Sequence, residues 1–201
     1  MPHARLIIVT GLPGTGKTTL ARELAQRLAL PVFAKDMIKE PLLDVLGAGD
    51  ETHSRRLSDV SFAVLFALVR ERLAVGADVL MEGNFRAGEH ETALLGALPA
   101  DSQTGVTLLQ VLCRCEESLR LTRLQGRAQD ASRHAGHRDA QLAEIGRTGG
   151  GTRGSTFLEL PGKRIEFDSG AAPRDNAVNA IQRKLGLGPI QVLDADGTVL
   201  R

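Results

Sequence analysis

The sequence predicts an α/β fold in three layers, a five-stranded parallel sheet with helices on both faces. Three observations carry this. Short β-branched runs alternate with helical apolar spacings through most of the 201 residues. A glycine cluster follows the first apolar run directly, as at the end of a buried parallel strand. Apolar residues make up 42% of the chain, enough for a core at this length.

The elements follow in order. Leu6–Val9 is the first strand. Lys17–Leu28 is a helix, with Leu20, Leu24, Ala25 and Leu28 recurring on one face. Pro31–Ala34 is the second strand, closed by Lys35-Asp36. Met37–Leu46 reads as a helix, with Pro41 marking its start or a kink. Arg56–Val75 is the longest helical stretch. There Leu57, Val60, Val64, Ala67 and Leu68 share one face, while Phe62, Leu65, Phe66 and Val69 lie elsewhere. A helix so apolar all round is buried or meets a partner subunit, and burial is the commoner case. Asp78–Glu82 is the third strand, Glu89–Leu98 a helix, Val106–Cys113 the fourth strand and Glu116–Asp130 a helix. Residues 131–163 are rich in Gly, Arg and His, and Gly146–Ser155 with its triple glycine reads as a flexible loop. Arg164–Asp168 is the fifth strand and Arg174–Leu185 the last helix. Ile190–Leu193 and Thr198–Leu200 flank a turn and read as a terminal β-hairpin. The expected organisation is one domain over 1–188 with 189–201 as an appended hairpin.

Composition excludes several classes. The 25 Lys and Arg against 24 Asp and Glu leave a net charge of +1, so no global field draws the chain to nucleic acid or to an acidic membrane. Only two cysteines occur, Cys113 and Cys115, so a disulfide framework is not expected. No stretch approaches the ~18 apolar residues of a membrane span, and the first apolar run is too short for a secretory signal. A soluble, cytoplasmic protein is expected.

Between the first strand and the first helix lies Gly11-Leu12-Pro13-Gly14-Thr15-Gly16-Lys17-Thr18-Thr19, which satisfies G-x-x-x-x-G-K-[ST]. Glycines let the backbone turn with its N–H groups pointing inward around a β-phosphate, and the helix dipole favours an anion there. Lys17 neutralises β/γ charge and Thr18 offers a hydroxyl to Mg²⁺. Gly11, Pro13, Gly14, Thr15, Gly16, Lys17, Thr18 and Thr19 are therefore the expected nucleotide contacts. The sequence holds no N-K-x-D for guanine and no D-F-G of protein kinases, and its single H-R-D, His137-Arg138-Asp139, lacks the Leu and Asn that follow it in their catalytic loop, so ATP is the expected nucleotide.

Ligands of open parallel sheets bind beyond the carboxyl ends of the strands. Three acids stand there: Asp36, Glu82 and Asp168. A kinase of a hydroxyl compound needs a carboxylate to accept or orient the hydroxyl proton, and Asp36 is the choice, its alternative being a helix N-cap. Glu82, after Val79-Leu80-Met81, is placed to hold Mg²⁺. Asp168 reads as a capping or turn residue. Arg120, Arg123 and Arg127 recur at helical spacing, and Arg133 enters a Gly/His-rich stretch. Such a basic segment suits a lid, about residues 114–163, that supplies charge to the transferring phosphoryl group through Arg127 and Arg133. His134 and His137 without further ligands make a poor zinc site.

On these residues the chain resembles the nucleoside-kinase-like P-loop kinases of small molecules and polynucleotides, such as chloramphenicol phosphotransferase, zeta toxin and gluconate kinase. Asp36-Met37-Ile38-Lys39 is similar to their D-x-x-[RK], which implies Asp36 as base and Lys39 at the substrate. Glu82-Gly83-Asn84-Phe85-Arg86 resembles E-G-T-x-R, with Asn84 in place of Thr, and implies that Arg86 contacts substrate. Arg133-His134-Ala135-Gly136-His137 resembles R-H-P-G-H, with Ala135 in place of Pro. The resemblance also implies adenine between Arg123 or Arg127 and the loop Ser169–Arg174. The expected activity is transfer of the γ-phosphate of ATP, with Mg²⁺, to a hydroxyl of a small molecule. Two alternatives stay open: a 5′-hydroxyl polynucleotide kinase, and an ATP-gated binding or regulatory protein. The acceptor's identity and the oligomeric state are not legible.

Overall fold

A computed structural model describes residues 4–99, 105–134, 136–147, 155–171 and 173–186, and the backbone of 192–193 and 199–200. The elements are β1 (Arg5–Gly11), α1 (Lys17–Leu28), β2 (Val32–Ala34), α2 (Lys35–Leu46), α3 (Glu51–Ala74), β3 (Val79–Gly83), α4 (Glu91–Ala97), β4 (Thr107–Arg114), α5 (Glu117–Ala128), α6 (Asp139–Arg147), β5 (Lys163–Asp168), α7 (Arg174–Lys184), β6 (Val192–Leu193) and β7 (Val199–Leu200). Strands β1 to β5 form one parallel sheet in the order β2-β3-β1-β4-β5. Every return to the sheet therefore needs a crossover, which the intervening helices provide. β6 and β7 pair antiparallel as a separate sheet.

β1 is the central strand, and Leu6, Ile7, Ile8 and Val9 are all fully buried. Alternation sends Leu6 and Ile8 to one core and Ile7 and Val9 to the other. The first core meets Phe62, Leu65, Phe66, Val69 and Leu73 of α3. The second meets Leu20 and Leu24 of α1 and Val178 and Ile181 of α7. One polar residue interrupts β4: buried Gln110 accepts from the Leu158 amide at 2.9 Å and donates to the Leu158 carbonyl at 3.2 Å. This exchange satisfies a buried amide and fixes the segment leading into β5.

Several sequence expectations need correction. α2 begins at Lys35, directly after Ala34, and runs through Pro41 rather than starting there. α3 begins at Glu51, five residues earlier than expected, because Asp50 caps it by accepting from the His53 amide at 2.8 Å. Its burial is one-sided: Phe62, Leu65, Phe66 and Val69 are inside, but Val60, Val64 and Leu68 are 40–47% exposed. Residues 139–147, unread as an element in the sequence, form α6. The triple glycine 149–151 and the turn between β6 and β7 lie outside the described residues. Among the described residues no helix is long and apolar enough to cross a membrane.

Candidate active site

The register of the sheet assembles the site. Glu82 pairs with Val9 on one side and Ala34 on the other. The loop after β1 and the start of α2 therefore flank one carboxylate. Lys17 Nζ lies 3.7 Å from Glu82 Oε1, and the Thr18 hydroxyl donates to Glu82 Oε2 at 3.2 Å. Lys17 and Glu82 are buried.

The loop from Gly11 to Gly16 is shaped by close approach. A Cβ on Gly11 would stand 2.5 Å from the Cys113 carbonyl oxygen, and one on Gly14 would stand 2.9 Å from Arg120 Cγ. Gly14 and Gly16 have φ of +91° and +83°, backbone that favours glycine. Gly16 is the N-cap of α1, and no side chain caps that end. The opening amides of the helix thus stay available to an anion. The Thr15 amide and hydroxyl both donate to the Leu12 carbonyl, at 3.2 and 2.8 Å, closing the turn. Pro13, which has no N–H, presents its carbonyl to Arg120 Nη1 at 3.3 Å. Thr19 is exposed at the edge of the cleft described below.

Asp36 lies in the first turn of α2, whose N-cap is Ala34, so the capping alternative does not apply. Its carboxylate is 3.2 Å from Lys35 Nζ. Burial pushes the carboxyl up, but Lys35, Lys17 and His137 outweigh it and hold it below the usual carboxylate range. Glu82 goes the other way. Burial raises it, with the Asp36 charge adding to the effect, against the pull of Lys17 and the Thr18 hydroxyl. Lys39, one turn beyond Asp36, donates to Ser54 Oγ at 2.9 Å and Ser58 Oγ at 2.8 Å. Arg86 is exposed, with its guanidinium 3.1 Å from Glu89, while its amide donates to His90 Nδ1 at 2.9 Å. The His90 ring packs tilted against Phe62, with centroids 4.2 Å apart, which ties the segment after β3 to α3.

The three arginines of α5 do different things. Arg120 is buried, held by Glu117 at 2.7 and 2.6 Å, and supports the loop from beneath rather than facing its concave side. Arg123 donates to the Gly14 carbonyl at 3.3 Å and to Ser169 Oγ at 2.7 Å. Arg127 lines a cleft of about 350 Å³ with Gly16, Thr19, Arg123, Phe167, Ser169, Pro173 and Arg174. Arg133 Nε is 2.8 Å from Asp139, a buried carboxylate at the start of α6. Beyond it, His134 bonds Asp44 at 2.9 Å and His137 bonds Glu40 at 2.6 Å, fastening this loop to α2. Asp168 accepts from the Gly170 and Ala171 amides and serves the turn. Burial pushes the Cys113 thiol up to about 12, and Cys115 lies just beyond the strand end.

Sequence reasoning passed over Lys35, the inward role of Arg120, and Glu40 and Asp44. The last two stand four and eight residues after Asp36, a spacing that puts all three acids on one face of α2.

The fold and this loop agree with comparison to known proteins. Residues 6–148 match an AAA domain, AAA_33. The chain belongs to that family. Fold and loop together are those of the P-loop kinase group. A candidate kinase from Chloroflexus aurantiacus has a similar structure, with a TM-score of 0.77 and 28% identity over 92% of this chain and 99% of that one. APS kinase CysC of Mycobacterium tuberculosis, solved with AMPPNP and APS, matches at a TM-score of 0.59 and 16% identity, covering 92% and 99%. A gluconokinase from Sinorhizobium meliloti matches at 0.52 and 17%, covering 92% of each chain. No curated protein matches the chain.

Proposed function

We propose that the chain is an ATP-dependent phosphotransferase acting on a hydroxyl of a small molecule. The observation that carries this reading is Asp36. An ionised carboxylate stands beside Lys35, within the field of Lys17, at the carboxyl end of the sheet. The family and the likeness to a candidate kinase at 28% identity support it.

The β- and γ-phosphates rest on the amides at the start of α1, with Lys17 neutralising their charge. The adenine occupies the cleft between Arg123, Arg127 and the loop after β5. Asp36 accepts the acceptor's proton as its oxygen forms a bond to γ-phosphorus and the bond to the β,γ-bridging oxygen breaks, leaving ADP. Thr18 and Glu82 present hard oxygen donors 3.2 Å apart, a set that fits Mg²⁺. When bound, that ion offsets negative charge on the phosphate oxygens. The Arg127 side chain has no hydrogen-bond or ion-pair partner among the described residues and is the lid arginine free to meet the transferring group. Arg133 reaches that group on leaving Asp139 and otherwise holds the lid together. In this reading residues 1–188 are the kinase unit, 114–163 its lid, and 189–201 an appendage.

The test is Asp36→Asn. Product formation is screened across sugars, nucleosides, antibiotics and 5′-hydroxyl oligonucleotides, and the variant is assayed on the acceptor found. Mg·ATP affinity by calorimetry stays within about twofold, while turnover falls by roughly 10²–10⁴, the usual worth of a general base. Unchanged turnover removes Asp36 from this role. Mg·ATP binding without product from any acceptor favours a nucleotide-gated binding protein.

A further inference from the structure

Four carboxylates at the mouth of the site each have a partner of opposite or convertible charge. Glu82 faces Lys17, Asp36 faces Lys35, Glu40 faces His137 and Asp44 faces His134. Two cations in the same place are left over. Half-buried Lys39 bonds only the hydroxyls of Ser54 and Ser58, with no carboxylate at ion-pair distance among the described residues. Half-buried Arg138 has no side-chain hydrogen bond or ion pair among the described residues.

The loop's fastening to α2 brings these two together. His137, the neighbour of Arg138, bonds Glu40, the neighbour of Lys39. Arg138 and Lys35 both act on Lys39 as repelling charges, while Asp36 and the exposed Asp59 attract it. Burial, with the charge of Lys35 next, pushes Lys39 down to about 8. Two unneutralised cations at a half-buried position are costly unless a counter-charge arrives.

The donors there suit an oxyanion. The Ser58 hydroxyl spends its hydrogen on the Ser54 carbonyl at 3.1 Å. The Ser54 hydroxyl accepts from Lys39 and keeps its hydrogen for another acceptor. Ammonium, guanidinium and hydroxyl together form a donor set for carboxylate or phosphate. Asp36 is three residues before Lys39 on the same helix face, so the two are about one turn, ~5–6 Å, apart at Cβ.

We propose that the phosphoryl acceptor carries an oxyanion, a carboxylate or a phosphate, held by Lys39, Ser54 and Arg138 beside the hydroxyl that Asp36 receives. This rests on the kinase reading above. It adds the chemical class of the acceptor and gives Arg138 and Ser54 a role. Because Lys39 belongs to α2 and Arg138 to the lid loop, the anion also ties one to the other.

The test has two arms. ADP formation from Mg·ATP is measured with matched acceptors differing in the anion: D-gluconate against D-glucitol, D-glycerate against glycerol, and adenosine 5′-phosphate against adenosine. Separately, the phosphate loop is filled with a nonhydrolysable ATP analogue and Mg²⁺, and calorimetry follows inorganic phosphate and D-gluconate binding. Wild type, Lys39→Met and Arg138→Met are compared, with thermal melts confirming that all three are folded. The expected result is millimolar binding of one probe by wild type, weakened tenfold or more in each variant, with affinity for the ATP analogue unchanged. Which probe binds tells carboxylate from phosphate. Anion binding lost in the variants, with no product from any acceptor, leaves the anion site standing and removes the kinase reading. Turnover of neutral twins as fast as charged ones keeps the kinase reading and overturns this proposal. Absence of binding by wild type to both probes, or binding that the variants leave unchanged, also overturns it.

Discussion

Gly14→Ala isolates how the nucleotide loop is supported. The new Cβ would stand 2.9 Å from Arg120 Cγ, 3.0 Å from the Arg120 carbonyl oxygen and 3.4 Å from Leu124 Cγ. Arg120 has little room to withdraw, since Glu117 holds its guanidinium through two bonds and Pro13 through a third. The backbone φ of +91° adds roughly 1–2 kcal/mol for an L-residue, and crowding in a packed site adds roughly 1–3 kcal/mol. The total is roughly 2–5 kcal/mol. Gly88→Ala is the control: its φ is +82°, but nothing lies within 4 Å, so it loses only the backbone part. The two variants should differ by roughly 1–3 kcal/mol in urea unfolding, or about 2–12 °C in Tm for a chain of this size. Calorimetry should show Mg·ATP bound at least tenfold more weakly by Gly14→Ala and unchanged in Gly88→Ala. A displaced loop gives up hydrogen bonds to a charged ligand worth about 1.5–3 kcal/mol each. Equal destabilisation of the two variants, or wild-type nucleotide affinity in Gly14→Ala, refutes the idea that Arg120 sets the loop from beneath.

Glu82→Gln keeps the hydrogen bond to Thr18 but removes the charge. The Mg²⁺ concentration for half-maximal activity should rise at least tenfold, and metal-free ATP should bind as well or better; an unchanged Mg²⁺ titration argues against a metal role for Glu82. The pH profile of acceptor kcat/KM should be broad and lopsided. Its acid limb falls only below the ordinary carboxylate range, because Asp36 must lose its proton and is held ionised. Its alkaline limb falls as pH rises through about 8, where Lys39 loses its charge. The alkaline limb should vanish in Lys39→Met, and its persistence there assigns it to another group.

The sheet was legible because strands buried on both faces read as unbroken apolar runs, Leu6–Val9 above all. The nucleotide loop was legible because its glycines answer to local geometry, a close backbone approach at Gly11 and positive φ at Gly14 and Gly16. Asp36 and Glu82 followed from their place at strand ends. Arg120 was misdirected for a physical reason: helical spacing groups it with Arg123 and Arg127, but only tertiary packing reveals that Glu117 and the Pro13 carbonyl draw it inside. α6 was hidden by its neighbourhood, where Gly146 and the glycines after it weaken a pattern carried by Leu142, Ala143 and Ile145. The start of α3 was hidden too, since Thr52, His53, Ser54 and Arg55 give its first turn no apolar face. The pairing of His134 and His137 with acids ninety or more residues away has no local signal at all.

The sheet order has a kinetic corollary. β1 is sealed by a neighbour on each edge and a core on each side, so its amides should be among the slowest to exchange with deuterium, opening only when the whole chain unfolds. The loop that grips phosphate grows from this most protected strand, whereas the His134–Asp44 and His137–Glu40 bonds are polar and near solvent. Breathing of the cover on α2 is thereby uncoupled from the frame, and ligands can come and go while the anchor of the nucleotide loop keeps its shape.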